Sequence, residues 1–277
     1  MNPHKLPYGR TALLAAGLVA VTFGLCAQSQ TEVTDPLTFE IASVKPSTVG
    51  CPPACGLIRS TVGSQGYHVE GAFLKVIMTV AYSVTDRQIS GGPSWMTTER
   101  FDIEAKAARP RTVDELHTML AHLLEERFHL TIRREMRQES VLKLVAASGG
   151  SKMPVHDAAD KDYPPMGTQF VGDKDGTVCG VLQGRNETMK YLAFILSRNM
   201  NRWVIDETGL PARYDVNLRY MPDDVHPRRP DGVEVPFSPD CSDIYSALPK
   251  QLGLKLEAAK GPVEFLVVEH VERPTEN

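Results

Sequence analysis

The sequence predicts an α+β fold made of two repeated halves, on three observations. Ile89 to Ala105 reads as a short strand, a Gly91-Gly92-Pro93 turn, then a stretch with Phe101, Ile103 and Ala105 alternating with Asp102 and Glu104. Period-2 alternation marks a half-buried strand. The pattern returns in Trp203 to Leu218, where Arg213-Tyr214-Asp215-Val216 follows Arg100-Phe101-Asp102-Ile103 by 113 residues. Around both pieces lie apolar stripes at helical spacing. Each half therefore reads strand, helix, strand, strand, helix, strand, strand, with helices packed on antiparallel or mixed sheets.

The N-terminus carries Lys5 and Arg10, then an apolar run from Thr11 to Leu25, and no acidic residue before Glu32. That is the pattern of a secretory signal peptide, with cleavage expected after Ala27. The run is shorter than the roughly 20 residues a spanning helix needs. Cys26 raises the alternative of a lipid anchor, but Leu25 precedes it where such signals place a small residue; an uncleaved anchor is the other alternative to cleavage. The expected product is exported, periplasmic or extracellular, with no transmembrane segment in the mature chain.

Residues 28–38 form a polar leader. The first half, 39–150, begins with an alternating strand, Phe39 to Lys45, stopped by Pro46. Ser47 to Ser64 is a Gly/Pro/Cys loop, and Gly66 to Glu70 a short strand. Ala72 to Val84 carries Phe73, Val76, Ile77, Val80 and Val84 at helical spacing. Thr112 with Glu115 forms a capping box for a helix reaching Glu126, its stripe made of Leu116, Met119, Leu120, Leu123 and Leu124. Leu130–Arg134 and Ser140–Ala146 read as a hairpin.

Residues 151–177 are polar and rich in Asp, Gly and Pro, and read as a flexible connector. The second half, 178–277, opens with a strand to Leu182. A helix from Asn186 to Ser197 follows, then the second strand–turn–strand piece and a Pro- and Asp-rich loop, Met221 to Pro239. Ser242 to Leu252 reads as a helix interrupted by Pro249. Leu254–Glu257 and Val263–Val268 read as a closing hairpin turned by Lys260-Gly261-Pro262.

Cleavage after Ala27 leaves Cys51, Cys55, Cys179 and Cys241. An even count in an exported chain predicts two disulfides among three connectivities. The tight Cys51-Pro-Pro-Ala-Cys55 loop favours Cys51–Cys55, leaving Cys179–Cys241. A zinc site competes, but the spacing lacks paired C-x-x-C ligands. His117 and His122 stand five apart, which rotates them away from each other on a helix, unlike H-E-x-x-H.

A formal net charge of −4 gives no nucleic-acid footprint. No G-x-S-x-G elbow, P-loop or G-x-G-x-x-G occurs, and no catalytic residue, metal ligand or cofactor is indicated. Asp102 with Arg100 and Asp215 with Arg213 are candidates for a paired-carboxylate site, against the alternative of ion pairs or turn hydrogen bonds. Trp95 fits the core or a ligand stack. Asp206 precedes Glu207-Thr208-Gly209 and reads as a turn cap. Arg127 and the Arg133, Arg134, Arg137 run read as a charged outer strand face, or as contacts for an acidic partner.

Many ordered segments carry a resemblance: Phe39-Glu-Ile-Ala-Ser-Val-Lys-Pro-Ser47, Gln88-Ile-Ser-Gly-Gly-Pro-Ser-Trp95, Arg100-Phe-Asp-Ile-Glu-Ala-Lys106 and Met119 to Leu130. Val204-Ile-Asp-Glu-Thr-Gly-Leu210, Gln251 to Glu257, Gly261-Pro-Val-Glu264 and Arg273-Pro-Thr-Glu-Asn277 continue it. The chain resembles the soil-associated, acidobacterial-type exported proteins that form a domain of unknown function. That family implies no activity, so no catalytic residue is carried over. The Cys51–Cys55 loop, Pro249 and the Met221–Pro239 segment depart from its pattern. Each half also resembles, at the level of fold, the short periplasmic domains at the start of secretins and TonB-dependent receptors. This second resemblance implies a binding or signalling module, and the duplicated unit, the two expected disulfides and the missing catalytic signatures point the same way, to a non-enzymatic module for a protein partner or cell-envelope component. The alternative is a hydrolase-type enzyme with its site between the halves.

Overall fold

Among the described residues, four α-helices pack against three sheets of antiparallel or mixed pairing, an α+β fold. The computed structural model describes residues 36–48, 56–61, 66–157, 166–172, 174–223, 227–229 and 231–274. The leader region before Pro36, together with Cys51 and Cys55, lies outside the described residues.

The strands are β1 (Ile41–Pro46), β2 (Leu57–Thr61), β3 (Gly66–Phe73), β4 (Ile89–Gly91), β5 (Arg100–Lys106), β6 (Thr131–Ala146), β7 (Gly167–Gly172), β8 (Val178–Glu187), β9 (Trp203–Asp206), β10 (Tyr214–Tyr220) and β11 (Leu254–His270). The helices are α1 (Leu74–Ala81), α2 (Val113–Arg127), α3 (Met189–Met200) and α4 (Ile244–Gln251). From β2 and again from β7, the order is strand, strand, helix, strand, strand, helix, strand.

The first sheet has the order β1-β5-β3-β2, and the second β10-β8-β7. The central sheet, β4-β11-β6-β9, is dominated by the antiparallel β6–β11 pair, in which Gln138 faces Pro262. β4 runs parallel to β11, and β9 parallel to β6.

This arrangement corrects several expectations. Each half does not close on a hairpin, because Leu130–Arg134 with Ser140–Ala146, and Leu254–Glu257 with Val263–Val268, each lie within one long strand. The Gly261-Pro262 pair is no turn. A Cβ at Gly261 would come within 2.9 Å of Ile205 Cδ1, so glycine there makes room for β9's side chain. Pro262 sits where β11 has only β6 beside it, so its missing N–H costs the ladder little. The 151–177 connector also contains a strand, β7, and the Ser47–Ser64 loop contains β2.

α2 forms where its apolar stripe and its cap agree. The Thr112 side chain accepts the Glu115 N–H while Glu115 accepts the Thr112 N–H at 2.8 Å. Leu116, Met119, Leu120 and Leu124 are fully buried. α4 accommodates Pro249 in its last turn, capped at the other end by Asp243, which accepts the Ser246 N–H. Each helix is followed within two residues by a left-handed residue: Ser83, His129, Asn201 and Gly253. At Gly253 a Cβ would lie 2.0 Å from the Gly150 carbonyl oxygen, so only glycine fits.

Two main cores result. One gathers the first sheet, α1, α2 and the Leu266/Val268 end of β11. The other gathers α3, α4, the second sheet and Leu142, Leu144 and Leu254. Among the described residues, no helix is long and apolar enough to cross a membrane.

Candidate functional site

On the helix-bearing face of the central sheet, the side chains between the two cores turn polar. Arg134 of β6 and Glu264 of β11 form an ion pair at 2.6 Å there. Gln88 donates to the Glu264 carbonyl at 2.7 Å. A groove opens at this place, walled by the end of α1 and by α2 on one side and by α3 on the other. Its polar lobe has a volume of about 600 Å³, and its more apolar lobe about 380 Å³. Ser83, Gln88, Lys190 and Glu264 line both lobes.

Local structure explains how these side chains arrive. Ser83 holds a left-handed φ of 51° beyond α1, where the Val84 N–H returns to the Thr79 carbonyl. Its Oγ lies 3.0 Å from Nδ1 of His117, which α2 buries to 5% exposure. Burial pushes the His117 imidazole down to about 4, against the opposing charge of Asp114. The ring is therefore neutral at neutral pH and able to accept the Ser83 hydroxyl. Tyr82 donates to Glu125 at 3.3 Å, and burial together with that carboxylate pushes its phenol up. Lys190 sits in the first turn of α3, after the Thr188 cap.

The acids of the groove are already engaged: Asp114 by Arg213 at 2.5 Å, Glu264 by Arg134, and Glu125 by Tyr82. Lys190 is exposed at the junction of the lobes. The apolar lobe is bounded by Ala193, Phe194, Val204 and Val263. Such a surface suits a ligand or segment with an apolar portion beside a polar one.

Arg100 and Asp102 lie outside this groove and grip one backbone residue. Arg100 Nη1 donates to the Gly71 carbonyl at 2.6 Å, while Asp102 Oδ1 accepts the Gly71 N–H at 2.8 Å. Gly71 is the left-handed residue at the irregularity of β3. Arg213 and Asp215 treat Asn186, also left-handed, in the same way. Arg213 Nη1 donates to the Asn186 carbonyl at 2.9 Å, and Asp215 Oδ1 accepts its N–H at 3.1 Å. Asp102 and Asp215 thus belong to different sheets, each tied to its own bulge. Trp95 is buried at 8% exposure, against Phe101 and Phe128. Asp206 accepts the Thr208 N–H and hydroxyl in a turn and lines the apolar lobe. His122 bonds the Leu37 carbonyl.

Near Arg213 lies a second ionisable cluster. Glu187 is 2% exposed and accepts the Met166 N–H at 2.9 Å. Burial pushes its carboxyl up to about 8, aided by Asp114 and Asp215 and opposed by the Met166 bond and Arg213. His156 Nδ1 stands 2.7 Å from Asp215 Oδ1. Cys179 and Cys241 form a disulfide joining β8 to the segment before α4.

Ser83, Lys190, Glu187 and His156 escape a reading by motif. Each is joined to its partners only by tertiary pairing, and none stands in a spacing that signals chemistry.

A family model described as protein of unknown function (DUF3738) matches residues 75–271. No curated protein matches the chain, and no solved structure does. The chain belongs to the DUF3738 family.

Proposed function

We propose that this chain is an exported recognition module of the cell envelope, and that its ligand seats in the groove between α2 and α3. The signal-peptide pattern of residues 1–27 and the Cys179–Cys241 disulfide support export to an oxidising compartment. One observation carries the site: an apolar lobe and a polar lobe meet at Ser83, Gln88, Lys190 and Glu264, where the two cores face each other. A protein segment or envelope component with adjoining apolar and polar parts fits that surface.

The module is a duplicated unit, residues 39–150 and 178–277 joined by 151–177. Support comes from the matched sheet orders β5-β3-β2 and β10-β8-β7. The matched clamps on Gly71 and Asn186 add to it. Duplication would set the groove where the halves meet.

A photo-crosslinking residue at Lys190, in protein exposed to extract of the producing cell's envelope, tests the groove. Adducts should form from position 190 and not from Tyr245 on α4. Equal labelling from both positions would refute the assignment.

The Ser83–His117 pair favours a second reading, a hydrolase whose serine is activated by a neutral imidazole. Covalent labelling of Ser83 by a fluorophosphonate, abolished in Ser83→Ala and His117→Gln, would support it. No labelling of the folded protein would exclude it.

A further inference from the structure

We propose that β7 is a strand-addition edge that pairs antiparallel with β7 of a second copy of this chain. β7 reads Gly167-Thr-Gln-Phe-Val-Gly172 and contains no charge and no proline. It pairs with β8 over six consecutive residues without a register shift. All six residues are exposed. Among the described residues, β7 pairs on one side only.

A regular edge exposes a row of backbone donors and acceptors that another strand completes. Several of the other free edges carry the features that discourage such pairing. β1 bears Lys45 and ends at Pro46. The free stretch of β6 carries Arg133, Arg134, Glu135 and Arg137, which form ion pairs with one another or with β11. β4 has three residues and β9 four. β7 has none of these protections.

The sequence of β7 is self-complementary about a two-fold axis. In the symmetric register centred on Gln169, Gln169 faces the second copy's Gln169, Thr168 faces Phe170, and Gly167 faces Val171. No like charges meet, and Thr opposite Phe is a favourable aromatic–β-branched cross-strand pair. Such an interface is isologous and closed, so it stops at a dimer. Phe170 and Val171, 39% and 37% exposed, would lose water on pairing. The contact is short, so the dimer is weak and concentration-dependent.

Sedimentation velocity from low micromolar to near-millimolar protein tests the proposal, with hydrogen exchange followed over residues 167–172. The wild type should pass from monomer to dimer, and β7 amides should gain protection in step. The Gln169→Lys/Val171→Lys double variant should stay monomeric while keeping the wild-type circular dichroism and unfolding temperature. A wild type that remains monomeric throughout would overturn the proposal. So would a dimer that survives in the folded double variant, or β7 protection that appears only when a different protein is added.

Discussion

Arg213, immediately before β10, donates to the Asp114 carboxylate in the first turn of α2, at 2.5 Å. The same guanidinium donates to the Asn186 carbonyl at 2.9 Å. One side chain therefore holds a bulge in its own sheet and reaches a helix of the other core. Arg213→Lys keeps the charge but loses the fork. It should cost about 1–2 kcal/mol in urea unfolding, while Asp114→Asn, half exposed, should cost under about 1 kcal/mol.

The clamps at Gly71 and Asn186 predict opposite tolerances. Asn186→Gly relieves a left-handed residue and should change stability by less than about 0.5 kcal/mol. Gly71→Val forces a β-branched side chain to a φ of 60° and should destabilise strongly. Asp102→Ala and Asp215→Ala each orphan a bulge N–H and should each cost about 1–3 kcal/mol. Chemical denaturation of the four variants measures all of these.

Glu187 predicts a stability that falls with pH. Its carboxyl titrates at about 8 in the fold and near 4.3 in an unfolded chain, about the model-peptide value. The folded state binds the proton more tightly. Its stabilising contribution is whole below the unfolded value, is lost as pH rises through the folded one, and levels off above it. Glu187→Gln should remove that slope, worth on the order of a few kcal/mol. Denaturant titrations at intervals across the window would show it.

His117 predicts the opposite slope on the acid side. Its imidazole is held at about 4, below the ordinary value. Stability is therefore present above the unfolded value and lost as pH falls through the folded one. His117→Gln should flatten acid unfolding in that window.

The Cys179–Cys241 bridge spans a sequence separation of 62. Its reduction should lower stability by about 2–4 kcal/mol, read as a shift in the unfolding midpoint with and without reductant.

The sequence carried the elements whose signals are local. α2 was legible because the Thr112–Glu115 box and the Leu stripe agree, and the Arg-aromatic-Asp strands because alternation survives half-burial. β6 and β11 were misread as hairpins, since Gly261-Pro262 looks like a turn until Ile205 is known to cross it. The Cys179–Cys241 partner choice was legible from cysteine number and loop spacing. The groove was not, because Ser83, Lys190 and Glu264 come from three distant segments that only the sheet order brings together. Arg100, Asp102, Arg213 and Asp215 stood out by repetition, yet repetition marked a backbone clamp.

Hydrogen exchange on the protein with and without envelope extract of its producing cell tests the groove most directly. Added protection should fall at residues 81–84, 188–197 and 262–264 and vanish in Ala193→Trp, which fills the apolar lobe. Protection confined to other segments, or unchanged in the filled variant, would contradict a ligand seated between α2 and α3.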